Sequence, residues 1–465
     1  MQKVNTDQSV KLEIPKNLMP LYRIMQPMDG KSILILGYGR EGQATLSMLQ
    51  KLVPGAKLTV ADIRPQQLPE GVQGVFGDGY QNGLAGYDVV IKSPGIVLTD
   101  KSDAVLERVT SQTELFLRAY RKQVIGITGT KGKSTTTALT WHVLKSVRPD
   151  TLLMGNIGIP AFLQAESIGP ETLIVYELSC HQLEYISVSP HVAVLLNLFE
   201  EHLDHYGTKE AYFNAKRNIC RYQDADDIYF CNILQKDDVP EAKARRITMQ
   251  QAPDAVADLS VIGREVHFDG NILPLPVGCT RLAGEHNLYN IGTAYGICRQ
   301  FGVTDDQFMA ALTDFDPLPH RLQRVGTFDG VTYYDDSIST ACETAIGAMK
   351  ALAAEGVGSI LLGGMDRGID YTSLVDFLMK APQDNPQFLI LMPDSGMRVG
   401  EMLLEKGFDC ERLIFTDGLE QAVQKAKEVT PKGKVCLLSP AAASYGFFKN
   451  FEERGEFFQK YVMQK

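Results

Sequence analysis

The sequence has 465 residues, of which 44% are hydrophobic and 22% are charged. This composition is typical of soluble globular proteins and is enough for roughly two to four domains. The formal net charge of −10 argues against nucleic acid as the main partner. Apolar runs fall short of the ~20 residues that span a membrane, and residues 1–30 lack a signal-peptide core.

The cysteine pattern bears on the cellular compartment. The eight cysteines are scattered and form no Cys-x-x-Cys pair. This usage favours a reduced compartment, so we predict a cytoplasmic protein without membrane insertion. A monomer is the default expectation for its oligomeric state.

The first α/β block carries a glycine motif. A strand at 32–36 leads into Gly37-Tyr38-Gly39-Arg40-Glu41-Gly42 and a helix at 44–52, and a second strand at 57–61 ends at Asp62. This G-x-G-x-x-G pattern with a later acid is typical of Rossmann domains. A further strand at 88–91 runs into the turn 92–96, and ligands of parallel sheets bind at such carboxyl ends.

The second block opens with a phosphate loop. An apolar strand runs into Thr128-Gly129-Thr130-Lys131-Gly132-Lys133-Ser134-Thr135, and a helix is predicted at 135–145. Backbone N–H groups of such a loop surround phosphate oxygens, the lysine reaches the β- and γ-phosphates, and the serine hydroxyl binds Mg²⁺. Ile127 stands where the common pattern has its first glycine, so this is a variant loop. The alternative is an ordinary glycine turn.

Two apolar strands of the second block end in ionisable residues. The strand at 173–176 precedes Glu177, and the strand at 192–196 precedes Glu200-Glu201-His202-Leu203-Asp204-His205. No cysteine or third histidine stands at zinc-ligand spacing, so a Mg²⁺ site that accepts one imidazole fits better than zinc. Solvated polar loops are the alternative. Lys216, on a helical stretch at 210–222, carries little functional weight by itself, because helical lysines usually face solvent.

The remaining chain predicts a small β element and a third block. A hairpin is expected from a strand at 261–268, a turn at 269–271 and a strand at 272–275. After a linker at 316–319, strands at 331–334, 359–362, 388–392 and 434–438 alternate with helices that include 374–379 and 419–429. We therefore predict an α/β protein of three domains: a Rossmann-like domain (1–112), a central P-loop ATPase-like parallel sheet domain (113–317) and a Rossmann-like C-terminal domain (318–465).

Three polar loops follow strands of the third block. They are Asp335-Asp336-Ser337, Gly363-Gly364-Met365-Asp366-Arg367-Gly368 and Ser439-Pro440-Ala441-Ala442-Ala443-Ser444. Because carboxyl ends of parallel strands meet at one edge, these loops should together line a site for a second substrate.

The motifs in combination resemble the Mur ligase family of ATP-dependent amide ligases, which build the peptide of bacterial cell-wall precursors. The resemblance covers almost the whole chain. It rests on the phosphate loop and on five further motifs: Gly155–Gly158, Glu177–Ser179, Glu201–Asp204, Gly284–Asn290 and His320-Arg321. The segments Asp335–Ser337, Leu438–Ser444, Phe448–Phe451 and Arg454-Gly455 are similar to the branch that adds D-glutamate.

The resemblance implies a mechanism and its cofactors. ATP would phosphorylate the carboxylate of UDP-N-acetylmuramoyl-L-alanine, and the amine of D-glutamate would attack the acyl phosphate. Two Mg²⁺ ions would be held by Ser134, Glu177, His202 and Lys216, with Lys216 carried as a carbamate. Lys133, His202 and Lys216 are the implied catalytic residues.

The resemblance also implies contacts with each substrate. The implied ATP contacts are Gly129, Thr130, Lys131, Gly132, Lys133, Ser134, Thr135, Asn290, Arg321 and Asp336. The implied contacts with the UDP-linked substrate are Gly39, Asp62, Arg64, Ser93, Gly95 and Asn156. The implied contacts with D-glutamate are Thr340, Arg367, Ser444 and Phe451. The first glycine motif would then bind UDP rather than NAD.

Two positions depart from the family pattern. Ile338 stands where the family carries a lysine, and Arg367 stands where lysine is common; arginine pairs with carboxylates through a different geometry. One alternative is a related ligase with another acceptor, including a folylpolyglutamate synthase, and segment 439–451 argues against it. The other is a nucleotide-binding protein without catalysis, which the joint presence of Lys133, Glu177, His202 and Lys216 disfavours.

Overall fold

The computed structural model describes residues 2–4, 12–157, 159–381 and 386–464; Gly158 of the Gly155–Gly158 motif lies outside them. The strands are β1 (Gln2–Val4), β2 (Leu12–Ile14), β3 (Ser32–Leu36), β4 (Lys57–Asp62), β5 (Gln73–Phe76), β6 (Val89–Lys92), β7 (Val109–Thr110), β8 (Val124–Thr128), β9 (Leu152–Gly155), β10 (Ile174–Glu177), β11 (Val192–Leu195), β12 (Ile228–Asn232), β13 (Arg245–Gln251), β14 (Leu259–Ile262), β15 (Glu265–Phe268), β16 (Asn271–Pro274), β17 (Gln323–Phe328), β18 (Val331–Asp335), β19 (Val357–Gly364), β20 (Phe388–Asp394), β21 (Leu413–Phe415) and β22 (Val435–Leu438).

The helices are α1 (Met19–Met25), α2 (Arg40–Leu52), α3 (Asp103–Leu106), α4 (Gln112–Tyr120), α5 (Lys133–Val147), α6 (Ala161–Gln164), α7 (Cys180–Leu183), α8 (Leu203–Tyr206), α9 (Lys209–Arg221), α10 (His286–Arg299), α11 (Asp305–Asp314), α12 (Cys342–Ala351), α13 (Thr372–Lys380), α14 (Ser395–Glu405), α15 (Leu419–Val429) and α16 (Phe451–Met463). The chain forms two compact units, Met1–Cys279 with Tyr289–Thr313 and Thr280–Leu288 with Asp314–Lys465.

The first sheet, in the first unit, is parallel and has the strand order β5-β4-β3-β6-β7. Four of the five residues of β3 are buried, as expected for a strand covered on both faces. The predicted strands at 32–36 and 57–61 are confirmed. Helix α2 begins at Arg40, earlier than the predicted start at residue 44, because the glycine loop passes directly into the helix.

The central sheet, also in the first unit, has the order β16-β15-β14-β13-β12-β11-β8-β10-β9. It is parallel from β14 to β9, and β15 and β16 continue it as an antiparallel extension. The predicted turn at 269–271 is confirmed by the pairing of Phe268 with Asn271. The single strand predicted at 261–268 is wrong, since Gly263 (φ +54°) turns the chain between β14 and β15.

One hydrophobic core serves both sheets of the first unit. It contains Ile33 and Ile35 from the first sheet, Ile174 from the central sheet, and Phe116 of α4. Helix α4 lies between the two sheets in the chain, and its Phe116 packs into the core that they share. No helix of the described residues has both the length and the apolar character to cross a membrane.

The second unit holds a sheet of order β17-β18-β22-β19-β20-β21, in which only β17 is antiparallel. Separate apolar clusters cover its two faces, one including Leu362 and Leu391 and the other including Leu361 and Leu438. The three sheets confirm the predicted three-domain α/β class. The domain boundaries at 112/113 and 317/318 remain a prediction.

Candidate active site

The phosphate loop joins β8 to α5. Gly129 (φ +154°) and Gly132 (φ +85°) both adopt conformations that disfavour other residues. A Cβ atom on Gly132 would lie 2.4 Å from Oδ1 of Asn290, so a larger residue cannot fit without displacing that side chain. Helix α5 begins at Lys133, two residues before its predicted start, which places the helix N-terminus directly at the loop.

Residues that follow β11 fix the shape of the phosphate loop through hydrogen bonds. The Lys131 backbone N–H donates to Oδ1 of Asn197 at 2.8 Å, and Nδ2 of Asn197 donates back to the Lys131 carbonyl at 3.0 Å. The Thr130 hydroxyl accepts from the Phe199 N–H at 2.9 Å. Lys133 Nζ donates to the Thr130 carbonyl at 2.9 Å, which keeps the ammonium group at the loop. The loop is therefore shaped in advance for an anion.

Glu177, at the end of β10, lies level with Ile127 of β8 and with Gly155 of β9. Its side chain is fully buried, and Oε1 accepts from Nδ2 of Asn156 at 2.8 Å. Oε2 has no hydrogen-bond partner among the described residues. Buried carboxylate oxygens are normally satisfied, and a hard divalent cation is a partner of the right chemistry. With Ser134, which is also buried, these oxygen donors fit Mg²⁺.

Lys216 is buried rather than solvated, contrary to the ordinary expectation for a helical lysine. Helix α9 is capped by the Thr208 hydroxyl, which accepts from the Ala211 N–H. Lys216 is 1% exposed, and its Nζ donates to the Gly129 carbonyl at 2.8 Å. Burial, helped by the positive charge of Lys133, lowers the pKa of Lys216 to about 7. About half of the amine is therefore in its neutral form at pH 7.

His202 lies in a cluster that the sequence did not predict. Its imidazole is 5.1 Å from that of His181, which in turn is 4.3 Å from that of His205. One ligand atom each of Cys180, His181 and His202 lie within 4.8 Å of one another. Spacing along the sequence places no cysteine at zinc-ligand distance from His202, but the segment after β10 meets the segment after β11 and brings Cys180 and His181 beside it. Burial lowers the pKa of His181 to about 3.

The residues predicted for the UDP-linked substrate largely gather at the carboxyl edge of the first sheet. Asp62 accepts from the backbone N–H groups of Tyr38 and Arg64, at 2.8 and 3.0 Å. The Ser93 hydroxyl donates to the Gly37 carbonyl at 2.9 Å. These contacts stabilise the glycine loop itself. The residues on this edge are Gly39, Asp62, Arg64, Ser93 and Gly95.

A cleft of about 200 Å³ connects this region with the central sheet. It is lined by Arg40 and Glu41 of α2 and by Asn156 and Gln182. Burial raises the pKa of Glu41 to about 7, and the charge of Lys92 opposes the shift. Glu41 is not among the predicted site residues, although its place inside the glycine motif is a usable signal.

In the second unit, Asp336 is buried among hydroxyl groups. It accepts hydrogen bonds from Ser439, at 2.8 Å, and from Ser339. Burial raises the pKa of Asp336 to about 6, against the opposing effects of these hydrogen bonds and of Arg321. Arg321 and Asp336 thus lie close together in this unit, whereas Asn290 belongs to the first unit.

The predicted edge of the third sheet is confirmed. β22 lies between β18 and β19, and Met365 pairs with Ala443. The Ser337 hydroxyl donates to the Phe451 carbonyl at 2.8 Å. Of the predicted acceptor residues, Ser444 is buried, Thr340 and Phe451 are half-buried, and Arg367 is exposed.

Arg454 lies at this edge without a predicted role there. The side chain is 1% exposed and donates to the hydroxyl and carbonyl of Ser337 and to the Ala442 carbonyl, at 2.8–3.0 Å. Arg454 therefore ties the loop after β18 to the loop after β22 and fixes their separation.

The chain is similar in sequence to known proteins. Residues 127–298 match the model of the Mur ligase middle domain family. The chain is 34% identical to UDP-N-acetylmuramoylalanine--D-glutamate ligase of Lactobacillus delbrueckii subsp. bulgaricus, over 94% of this chain and 97% of the relative. It is 33% identical to UDP-N-acetylmuramoyl-L-alanine--L-glutamate ligase of Salinispora tropica, over 94% of this chain and 98% of the relative.

Solved structures agree on the fold. A MurF ligase from Thermotoga maritima in complex with ADP superposes with a TM-score of 0.58 at 17% identity, over 92% of this chain and 94% of that one. A second structure is a UDP-N-acetylmuramoylalanyl-D-glutamyl-2,6-diaminopimelate--D-alanyl-D-alanyl ligase from Acinetobacter baumannii. It superposes with a TM-score of 0.61 at 15% identity, over 98% of this chain and 100% of that one. The phosphate loop, the extent of the relatives and the shared architecture together place this chain in the Mur ligase family.

Proposed function

We propose that the protein joins D-glutamate to UDP-N-acetylmuramoyl-L-alanine at the expense of ATP, as a cytoplasmic step in the synthesis of peptidoglycan precursors. The observation that carries this proposal is the group around the phosphate loop: a preformed anion site, the unsatisfied Glu177 oxygen and the buried Lys216. The names of relatives that align over almost the whole chain support the substrates.

The chain's own residues would activate the substrate carboxylate by phosphorylation. Backbone N–H groups of residues 129–135 bind the phosphates of ATP, and Lys133 neutralises charge on the transferred group. Ser134, Glu177, His202 and Lys216 would hold two Mg²⁺ ions, which supply further charge neutralisation when bound. The neutral amine of D-glutamate would then attack the carbonyl carbon of the acyl phosphate. The amide C–N bond forms, the nitrogen loses one proton to solvent, and phosphate leaves with the C–O bond electrons.

Lys216 would serve as a carbamate. Its pKa of about 7 leaves a neutral amine that attacks CO₂, so that an N–C bond forms and one proton is lost to solvent. The product presents anionic oxygens where an ammonium group stood. In ¹³C-bicarbonate, the wild type should give a carbamate NMR signal that Lys216→Met lacks. A signal that persists in Lys216→Met would refute this assignment.

The substrate contacts follow the three sheet edges. Asn156 and the glycine-loop edge, at Gly39, Asp62, Arg64, Ser93 and Gly95, would bind the UDP-linked substrate. Asn290, Arg321 and Asp336 would contact the nucleotide. Thr340, Arg367, Ser444 and Phe451 would hold the acceptor amino acid. Arg367 is exposed, so its guanidinium can pair with an acceptor carboxylate through two parallel hydrogen bonds.

A second candidate acceptor is L-glutamate. The Salinispora tropica relative carries that amino acid in its name and aligns as fully as the D-glutamate ligases. Phosphate release with ATP, Mg²⁺ and UDP-N-acetylmuramoyl-L-alanine should be compared across D-glutamate, L-glutamate, D-aspartate, L-lysine and meso-diaminopimelate. Turnover with D-glutamate alone would support the proposal, whereas turnover with another amine would reassign the acceptor. The absence of turnover in a folded, ATP-binding protein would refute ligase activity.

A further inference from the structure

A thiol and two imidazoles meet beside the phosphate loop, in the first unit. One ligand atom from each of Cys180, His181 and His202 lies within 4.8 Å of the other two. Cys180 is 3% exposed, whereas His202 is exposed. The cluster is therefore buried on the side of Cys180 and accessible to solvent on the side of His202. The geometry points to a thiolate–imidazole site for a zinc-class divalent ion, with Cys180, His181 and His202 as protein ligands.

The residue types set the metal class. Thiolate and imidazole are the ligands that zinc prefers, whereas Mg²⁺ takes oxygen ligands. Zn–S and Zn–N bonds of about 2.0–2.3 Å imply tetrahedral ligand separations of roughly 3.5 Å. Since the three ligand atoms lie within 4.8 Å of one another, they need to close by at most about 1.3 Å, which side-chain rotation about χ1 and χ2 provides.

Tyr206 supplies an outer partner for this site. Its hydroxyl lies 3.3 Å from Nδ1 of His181, and the two rings stack with centres 5.6 Å apart. Metal-binding histidines usually have such a partner, which fixes the orientation of the imidazole. Tyr206 thus orients the His181 imidazole before an ion enters.

Binding would proceed by simple exchange. The Cys180 thiol loses its proton to solvent as the sulfur–metal bond forms, and the two imidazoles displace metal-bound waters. Three protein ligands leave the fourth position to water. Since His202 is also a ligand in the proposed magnesium arrangement, an ion held here withdraws that imidazole from it. Zinc-class ions should therefore inhibit the Mg²⁺-dependent reaction.

The test is Co²⁺ binding to the full-length protein without substrates, so that its outcome is independent of ligase activity. The wild type should bind one Co²⁺ with a thiolate charge-transfer band and release one proton, measured by calorimetry in two buffers. Cys180→Ser should abolish the band and weaken binding at least about 100-fold, and His181→Phe, which keeps the ring stack, should weaken it similarly. Cys410→Ser, which removes an exposed cysteine, is the matched control.

Two outcomes would overturn the site. One is a Co²⁺ complex without a thiolate band, and the other is unchanged affinity in both Cys180→Ser and His181→Phe. Thermal melts establish that each variant is folded, and His181→Phe decides the question if Cys180→Ser does not fold. In the ligase assay, inhibition by Zn²⁺, relative to each protein's own zinc-free rate, should be at least about tenfold weaker in either variant. Equal inhibition in all proteins would count against the coupling through His202.

Discussion

At the residue scale, the buried carboxylate of Glu177 favours metal binding over the stability of the metal-free protein. Glu177 is fully buried, and its Oε2 lacks a hydrogen-bond partner among the described residues. A buried oxygen without a partner costs about 1–3 kcal/mol, and the positive charge of Lys216 offsets part of this cost. The residue is therefore better suited to the metal-bound state than to the metal-free protein.

Substitution of Glu177 tests this interpretation. Without Mg²⁺, the unfolding free energy of Glu177→Gln should equal that of the wild type or exceed it by about 1 kcal/mol. The reason is that burial of a neutral amide costs less free energy than burial of a carboxylate. Mg²⁺ with an ATP analogue should raise the melting temperature of the wild type more than that of the variant. Activity should fall at least about 100-fold. Calorimetry with and without Mg²⁺ measures the first two effects.

Glu171→Gln is the control for that experiment. Glu171 is exposed, so its substitution should change neither the stability nor the response to Mg²⁺. An equal Mg²⁺ response in Glu177→Gln and the wild type would show that Glu177 does not take part in metal binding.

Asp336 predicts a pH dependence of stability. Its folded-state pKa of about 6 lies above the ordinary value of 3.8, so the folded state holds the proton more tightly than the unfolded chain. Stability from this group is present below about pH 4 and is lost as pH rises through about 6. Between about pH 4 and about pH 7, the difference in unfolding free energy should move by about 2–3 kcal/mol in favour of Asp336→Asn.

Urea unfolding of both proteins across this pH range measures the effect. The transition of the second unit, which contains Asp336, is fitted by linear extrapolation, and only the difference between the proteins is interpreted. A difference independent of pH would mean that Asp336 has an ordinary pKa in the folded protein.

At the element scale, the phosphate loop is specified by backbone geometry. Gly132 has φ +85°, and its position leaves no space for a Cβ beside Asn290. Gly433 has nearly the same φ, +84°, with open space around it. Substitution of these two glycines therefore distinguishes the cost of backbone strain from the effect on the phosphate loop.

Alanine substitution of each glycine uses this pair. Both variants should lose about 1–2 kcal/mol of unfolding free energy, because a Cβ is unfavourable at positive φ. Only Gly132→Ala should weaken ATP binding, by at least about tenfold, since the new methyl group displaces Asn290 and distorts the phosphate cradle. Calorimetric titration with ATP measures this, and equal affinities in the two variants would contradict the argument.

The small β element shows where a pattern misleads. Residues 261–268 are rich in side chains that favour strands, which predicts one strand, yet Gly263 turns the chain so that Ile262 pairs with Glu265. The residues on either side of a two-residue turn pair on the same face, so Val261 and Val266 are both buried, although an uninterrupted strand would place them on opposite faces. Gly263 is a local signal of the reversal.

At the scale of the whole molecule, the second unit has cores of its own. Two apolar clusters, one on each face of its sheet, draw their members entirely from residues 322–462. A unit that buries both faces of its sheet with its own helices should fold independently. Fragment 314–465 should therefore unfold cooperatively, with coincident transitions in circular dichroism and calorimetry.

The matched fragment for that experiment is 1–112. Phe116 of α4 lies outside it, and the core of the first sheet continues into the central sheet. This fragment should therefore unfold with low cooperativity and bind hydrophobic dyes. A cooperative transition in 1–112, or its absence in 314–465, would contradict the division into two units.

The sequence by itself determined the α/β class, the phosphate loop and the motifs of the Mur ligase family, because strand periodicity and glycine positions are local properties of the chain. Only the tertiary structure decided the burial of Lys216, the unsatisfied oxygen of Glu177 and the meeting of Cys180 and His181 with His202. These properties depend on which strands lie side by side. Sheet order is set by packing between distant segments, and residue spacing along the chain does not encode it.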